Sequence, residues 1–155
     1  MYSNGGHENT IRNNIFAFSA EHTLWPFWEK RPNIFQRNIV YLTQGTLMVP
    51  FAEGSLRQRI AAGEPLGTWD ENLYWHTAGP DRLRFFRHNL AEWQALGLDR
   101  HSRVADPQFV DAEAGDFRLR AGSPAETLGF RPIDTRSVGL YGDPAWVAEA
   151  RQRIK

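Results

Sequence analysis

The 155-residue chain has no cysteine, which excludes a disulfide framework, a thiolate nucleophile and any cysteine-based metal site. It also has no net charge, because 18 Lys and Arg balance 18 Asp and Glu. A polyanion held by bulk electrostatics, such as a nucleic acid, is therefore not an expected partner, although two or three arginines can still hold a small acidic group. No apolar run approaches the roughly eighteen residues that cross a bilayer, so no membrane partner is expected. The first residues, Met-Tyr-Ser-Asn-Gly-Gly-His, lack the basic-then-apolar order of a secretory signal. Phosphate-loop, dinucleotide and zinc-helix motifs are missing too, and no cofactor or metal is expected. What is present is 41% hydrophobic residues and 13% aromatics, with six Trp and ten Phe, enough for a thick aromatic core or for exposed stacking surfaces.

The chain repeats itself. Residues 9–18 align with 33–42 at an offset of 24, which superposes Asn9 on Asn33, Ile11 on Phe35, Asn14 on Asn38 and Ile15 on Ile39. A third copy at 67–76 lies 34 residues further on and places Trp69 with Phe35 and Asn72 with Asn38. Each copy reads apolar, two polar residues, Asn, then a short β-branched, leucine or aromatic run, which is a strand signal. Asn at the entrance suits a tight bend because it tolerates left-handed backbone angles, and stacked amides can form a ladder. A period near 24 is too short for a helix pair and suits one turn of a strand-only solenoid. Equivalent strands then lie about 4.8 Å apart, with Ile15, Ile39 and Leu73 expected in one internal column. The extra residues of the third copy fall around 51–66 and read as a loop with a short helix stopped by Gly63. Insertions in solenoids cluster on one face, often the binding face.

Beyond Arg84 the repeat fades. Residues 89–97 read as a helix with Asn89 as cap, Glu92 three residues on and Gly97 as stop. Trp146, Val147, Ala150 and Ile154 stand at helical spacing in a terminal helix over 144–155. The strings Trp93-Gln-Ala-Leu-Gly-Leu-Asp-Arg-His-Ser, Ala105-Asp-Pro-Gln-Phe-Val-Asp, Gly115-Asp-Phe-Arg-Leu and Gly122-Ser-Pro-Ala, with Ser3-Asn-Gly-Gly-His-Glu-Asn and Asn13-Asn-Ile-Phe upstream, resemble the C-terminal end of right-handed parallel β-helix, pectate-lyase-like proteins. The resemblance covers almost the whole chain. It implies an all-β fold, a right-handed parallel β-helix solenoid with a C-terminal capping region and short helices. Residues 1–83 are then coils, and 84–155 the short helix, capping strands and tail. It also implies a secreted or periplasmic carbohydrate-active parent, a glycoside hydrolase or polysaccharide lyase, of which this chain is a C-terminal fragment. A non-catalytic glycan-binding or cell-surface solenoid is the alternative. Nothing near the N-terminus reads as a cap, so edge-to-edge self-association is a further expectation.

Polysaccharide hydrolysis needs two carboxyls roughly 5–10 Å apart. Asp70 aligns with Gln36 and Arg12, and Glu71 with Arg37 and Asn13, so the pairing across copies is carboxylate against guanidinium or amide. That suits acidic-sugar recognition by Arg12 and Arg37, or a plain salt-bridge ladder. Glu21 and His22 precede Trp25 and Trp28 in the most site-like cluster. A histidine there can act as acid or base and the indoles can stack on sugar C–H faces, unless the segment is a capped turn over a buried aromatic patch. Trp75 and His76 form a second cluster of that type. The candidate catalytic set is Glu21, His22 and Asp70; the candidate polysaccharide-binding set is Arg12, Arg37, Trp25, Trp28, Trp75 and His76. Asp99-Arg-His101-Ser102 lacks a nucleophile elbow and reads as a turn. Asp106, Asp111 and Asp116 do not follow a calcium-loop pattern and read as strand-turn caps.

Overall fold

The computed structural model describes residues 8–24, 33–134 and 143–153. Its strands are short and come once per repeat. The first repeat supplies β1 (Thr10–Arg12), β2 (Ile15–Ala17) and β3 (His22–Leu24). The second supplies β4 (Ile34–Gln36), β5 (Ile39–Leu42) and β6 (Thr46–Met48), and the third β7 (Thr68–Asp70) and β8 (Leu73–His76). Equivalent strands pair in parallel: β1-β4-β7 make one sheet, β2-β5-β8 a second and β3-β6 a third. Ile11 lies beside Phe35 and Phe35 beside Trp69, while Ile15, Ile39 and Leu73 follow one another across the second sheet. This is the alignment read from the sequence. The chain is β-rich, built on parallel sheets with few helices.

The bend between the first two strands of each repeat is tight. Asn13, Arg37 and Glu71 occupy it with φ of 58°, 54° and 56°. The left-handed position is thus one residue ahead of the repeated Asn, which is not itself the bend residue. Arg and Glu have no intrinsic preference for that conformation, which costs about 1–2 kcal/mol. The Asn that follows holds them there. The Asn14 backbone N–H and Nδ2 both donate to Asn38 Oδ1, at 3.0 and 3.1 Å. Asn38 does the same to Asn72 Oδ1, at 3.0 and 3.2 Å. The second amide hydrogens of Asn38 and Asn72 go to the carbonyls of Ile11 and Phe35.

A fourth repeat, which the sequence pattern does not reveal, ends the ladder. Strand β9 (Arg103–Val104) joins β8 in parallel, with Leu73 beside Arg103. Ser102 stands where the other repeats have Asn, and its Oγ accepts the Asn72 N–H at 2.8 Å. Asp99, fully buried, then gathers four donors: Asn72 Nδ2 at 2.9 Å, Ser102 Oγ at 2.5 Å, Trp93 Nε1 at 2.8 Å and the Tyr74 hydroxyl at 3.1 Å. Burial pushes the Asp99 carboxyl up despite these donors. Burial and the adjacent Asp99 push Tyr74 well up, which keeps its hydroxyl protonated as a donor.

Between the sheets Phe35 lies 4.8 Å from Trp69, centroid to centroid, and Phe16 lies 5.8 Å from Phe35. Leu24, Val40, Leu42, Leu47 and Met48 fill the remaining space and are buried, each stabilising the fold by about 1.5–3 kcal/mol. The end beyond the third repeat is closed by Phe85 and by Trp93 of α2 (Leu90–Ala95), with Phe85 and Trp93 stacked at 5.2 Å. Asn89 and Glu92 form the capping box that their spacing foretells. The insertion is a 3-10 turn followed by α1 (Glu53–Ala61), which places Leu56 in the core and stops before Gly63 at φ +65°.

The second sheet is buried on both faces. Val40 and Tyr74 belong to the central core, whereas Ile39 and Leu73 pack with Phe109, Ala125, Leu128 and Phe130. The Ile15–Ile39–Leu73 column therefore exists in register but faces outward, a correction to its expected internal position. An antiparallel hairpin of β10 (Phe109–Asp111) and β11 (Asp116–Leu119), followed by α3 (Pro124–Thr127), covers it. These strands cover a side of the stack and not an end, because the outward Ile15, Ile39 and Leu73 side chains require an apolar cover, while Trp93 already closes the end. The segment after α3 reaches back to the first repeat, where Asn13 exchanges hydrogen bonds with the Arg131 backbone at 2.9 and 2.6 Å. The terminal helix α4 (Pro144–Arg153) forms where its spacing places it, but Trp146 is 67% exposed and not packed.

Replacing Asn72 by Ala strands the Asn38 donors and removes one donor from Asp99, so a loss of about 3 kcal/mol is expected; Asn14→Ala, at the exposed end, should cost about 1 kcal/mol or less. Urea unfolding of the Asn14, Asn38 and Asn72 series measures this, and equal losses along the series contradict the ladder.

Candidate functional site

The exposed face of the first sheet alternates with its inward aromatics. Arg12, Gln36 and Asp70 fall in register across β1, β4 and β7, and His101 from the fourth repeat, one place out of that row, reaches across to Asp70. Asp70 Oδ2 lies 2.6 Å from His101 Nδ1, and Oδ1 accepts the His101 and Glu71 backbone N–H groups. One position along, Arg37 Nε donates to Glu71 Oε2 at 2.7 Å. Burial raises the Asp70 pKa, but the hydrogen bonds from His101 and Glu71 outweigh it and the net shift is downward. The bond to Asp70 lifts His101 above 6.5. Arg37 and Glu71 thus form an ion pair where their alignment across the repeats places them. Arg12 is exposed, with neither an ion pair nor a hydrogen bond from its side chain among the described residues.

Asp70 has no second carboxyl beside it in register, and a two-acid hydrolytic pair is not assembled on this face. His22 begins β3 of the third sheet, and Glu21 stands in the bend just before it. His22 Nδ1 sits 2.7 Å from Thr46 Oγ1, which also lies 2.9 Å from the Met48 carbonyl. The Glu21 carbonyl accepts the Thr46 N–H at 2.7 Å. No hydrogen bond or ion pair links Glu21 or His22 to Asp70 among the described residues. Trp25 and Trp28 lie outside the described residues.

His76 is 4% exposed, accepts the Ala78 N–H on Nδ1 at 3.0 Å, and has its pKa lowered by burial and by Arg82. Its side chain is buried at the end of β8. Trp75, beside Tyr41 in register, is half-buried. Ser102 and Asp99 are hydrogen-bonded, but His101 turns outward to Asp70, so the three make no triad. Asp106, Asp111 and Asp116 accept backbone N–H groups two or three residues on, as strand-turn caps do. Among the described residues no group of three such side chains converges to hold a metal, and no helix is long and apolar enough to cross a membrane.

The sequence reading passed over a cleft of about 380 Å³ beside β6. Thr46, Leu47, Met48 and Pro50 form one wall, Glu53 at the start of α1 another, and Arg82, Arg84, Phe86 and Arg87 the third. Arg87 is paired with Glu53. The signal was available as Arg82-Leu-Arg-Phe-Phe-Arg87, a basic run interleaved with aromatics, in the stretch where the repeat fades. A larger cavity of about 720 Å³ lies between the first repeat and the C-terminal hairpin, with Phe16, Phe117 and Phe130 in its lining.

The Asp70–His101 pair is sensitive to pH in both directions. The raised His101 pKa means that its contribution is fully present below 6.5 and is lost as pH rises through the folded value. The lowered Asp70 pKa means that its contribution is present above 3.8 and is lost as pH falls through the folded value. The pair is at full strength between those limits. In an NMR titration His101 should have its midpoint above 6.5, and Asp70→Asn should bring it back down; an unchanged midpoint contradicts the pairing. No protein-family model, no curated protein and no solved structure matches the chain.

Proposed function

We propose that this chain is a right-handed parallel β-helix from a carbohydrate-active protein and that its own part is to bind polysaccharide. The repeat register carries the reading: the first two repeats build three parallel sheets in the same order and the third extends two of them, with equivalent residues side by side. Connections between parallel strands of one sheet are right-handed in about 98% of cases, and a chain that revisits three sheets in fixed order winds into a coil. The sequence resemblance to pectate-lyase-like proteins points the same way.

A fold of this kind hosts many functions, so the activity is argued from the surface. Stacked repeats present polar side chains in rows, here Arg12, Gln36 and Asp70, at steps of about 4.8 Å, with His101 bonded to the last of them. Such a row suits a long, hydroxyl-rich polymer lying across the repeats better than a compact ligand. Binding is favoured over cleavage because Asp70 is engaged by His101, its neighbour on β4 is the amide of Gln36, and the next residue of the row is Arg12.

The test is affinity electrophoresis through gels cast with pectin, alginate, xylan or fucosylated glycan, alongside reducing-sugar and ultraviolet-absorbance assays. At least one polysaccharide should retard the protein, with neither chemical signal. New reducing ends or an unsaturated product overturn the binding role in favour of cleavage, and no retardation by any polymer overturns the carbohydrate reading itself.

A further inference from the structure

The cleft beside β6 combines features not found on the first sheet. Its cations are in excess: three arginines line it against one carboxylate, Glu53. Glu53 is already engaged with Arg87. Arg82 has no ion pair among the described residues, and Arg84 gives a single hydrogen bond, from Nη1 to the Leu83 carbonyl at 3.0 Å. A guanidinium has five N–H donors, so most of the donor capacity of these two residues points at solvent or at a ligand. Both side chains are exposed while Leu83 between them is buried, and the local chain direction therefore sends Arg82 and Arg84 to the same side. The field of Arg82 extends at least to His76, whose proton it helps to expel.

The floor of the cleft is apolar. Leu47 and Met48 are buried and Phe86 is half-buried, so one face of a ring can lie on Phe86 while its polar substituents reach the rim. Thr46, already bonded to His22, stands at the opposite wall. The volume of about 380 Å³ lies at the lower end of the range for small-ligand sites, which suits one or two sugar residues and not a folded domain. The chain as a whole is neutral, so attraction for an anion here comes from the local arginines and not from net charge.

We infer that this cleft receives an anionic sugar residue, the oxyanion of a carboxylate or sulfate substituent lying against Arg82 and Arg84 and the ring over Phe86. The inference rests on the polysaccharide reading and narrows it to charged glycans. Guanidinium forks match the geometry of both oxyanions. Glu53 opposes the ligand electrostatically, and its pairing with Arg87 limits that opposition.

Retention in gels cast with polygalacturonate, a sulfated galactan or a neutral galactan tests it. Polygalacturonate and the sulfated polymer distinguish the two oxyanion sources, and binding to either one, weakened by added salt, supports the inference. The double variant R82A/R84A should weaken that binding at least about tenfold, Arg118→Ala on the C-terminal hairpin should leave it unchanged, and Glu53→Gln should strengthen it. Equal retention by the neutral galactan overturns the anionic assignment but leaves the polysaccharide reading standing. Loss of retention by every polymer removes that reading itself. Charged-polymer binding that R82A/R84A does not alter overturns the site. All three substitutions that remove a charge from this cleft alter exposed or half-exposed groups, and circular dichroism confirms folding of each variant before binding is compared.

Discussion

Asp99 is a carboxylate with no exposure to solvent, and the stack depends on how it is satisfied. A buried charge without partners is costly, and here four donors from three parts of the chain converge on it: Asn72 and Tyr74 from the third repeat, Ser102 from the fourth, and Trp93 from the closing helix. Each donor fixes something else. Asn72 positions Asn38 and, through it, Asn14; Trp93 fixes the helix that closes the end; Tyr74 fixes the inward face of the second sheet. The asparagine ladder is thus anchored at one end on a buried acid and becomes progressively more exposed towards Asn14.

That anchoring compensates for weak local structure. Most strands are three or four residues long, at the short limit for strands, and each repeat holds a non-glycine residue at positive φ in its bend. Such elements persist only where neighbours over-determine them. The ladder does so from one side and the aromatic stack of Phe16, Phe35, Trp69 and Trp93 from the other. The polar rows on the outer face then inherit their spacing from the strands beneath, so the candidate binding surface is a consequence of the register.

The repeat was legible because Asn recurs at fixed places and an apolar run follows it each time. The fourth repeat was not, because Ser102 performs the acceptor role of Asn without matching it in type, and the spacing from Asn72 to Ser102 is 30 residues where the previous offset is 34. The facing of Ile15, Ile39 and Leu73 was misread for a different reason. A parallel strand buried on both sides is apolar at every position, so alternation in the sequence cannot say which side chains look inward. His76 is an inward residue at the end of such a strand. The carboxylate–guanidinium alignment of Glu71 with Arg37 was read correctly from the offset alone, whereas His101 as the partner of Asp70 needed the hidden fourth repeat. The arginine cleft went unread because its walls come from residues 46–53 and 82–87, which only the fold brings together.

Through-hydrogen-bond scalar couplings give the most direct test of the ladder. In uniformly labelled protein, the backbone nitrogen of Asn38 should couple to the side-chain carbonyl carbon of Asn72, and that of Asn14 to the side-chain carbonyl carbon of Asn38. Both cross-peaks should be present, and substituting Asp99 by Ala should weaken the Asn38–Asn72 coupling first. Absence of both couplings in the folded protein, or a coupling of the Asn38 nitrogen to some other carbonyl, contradicts the stacking on which the fold and the proposed binding surface stand.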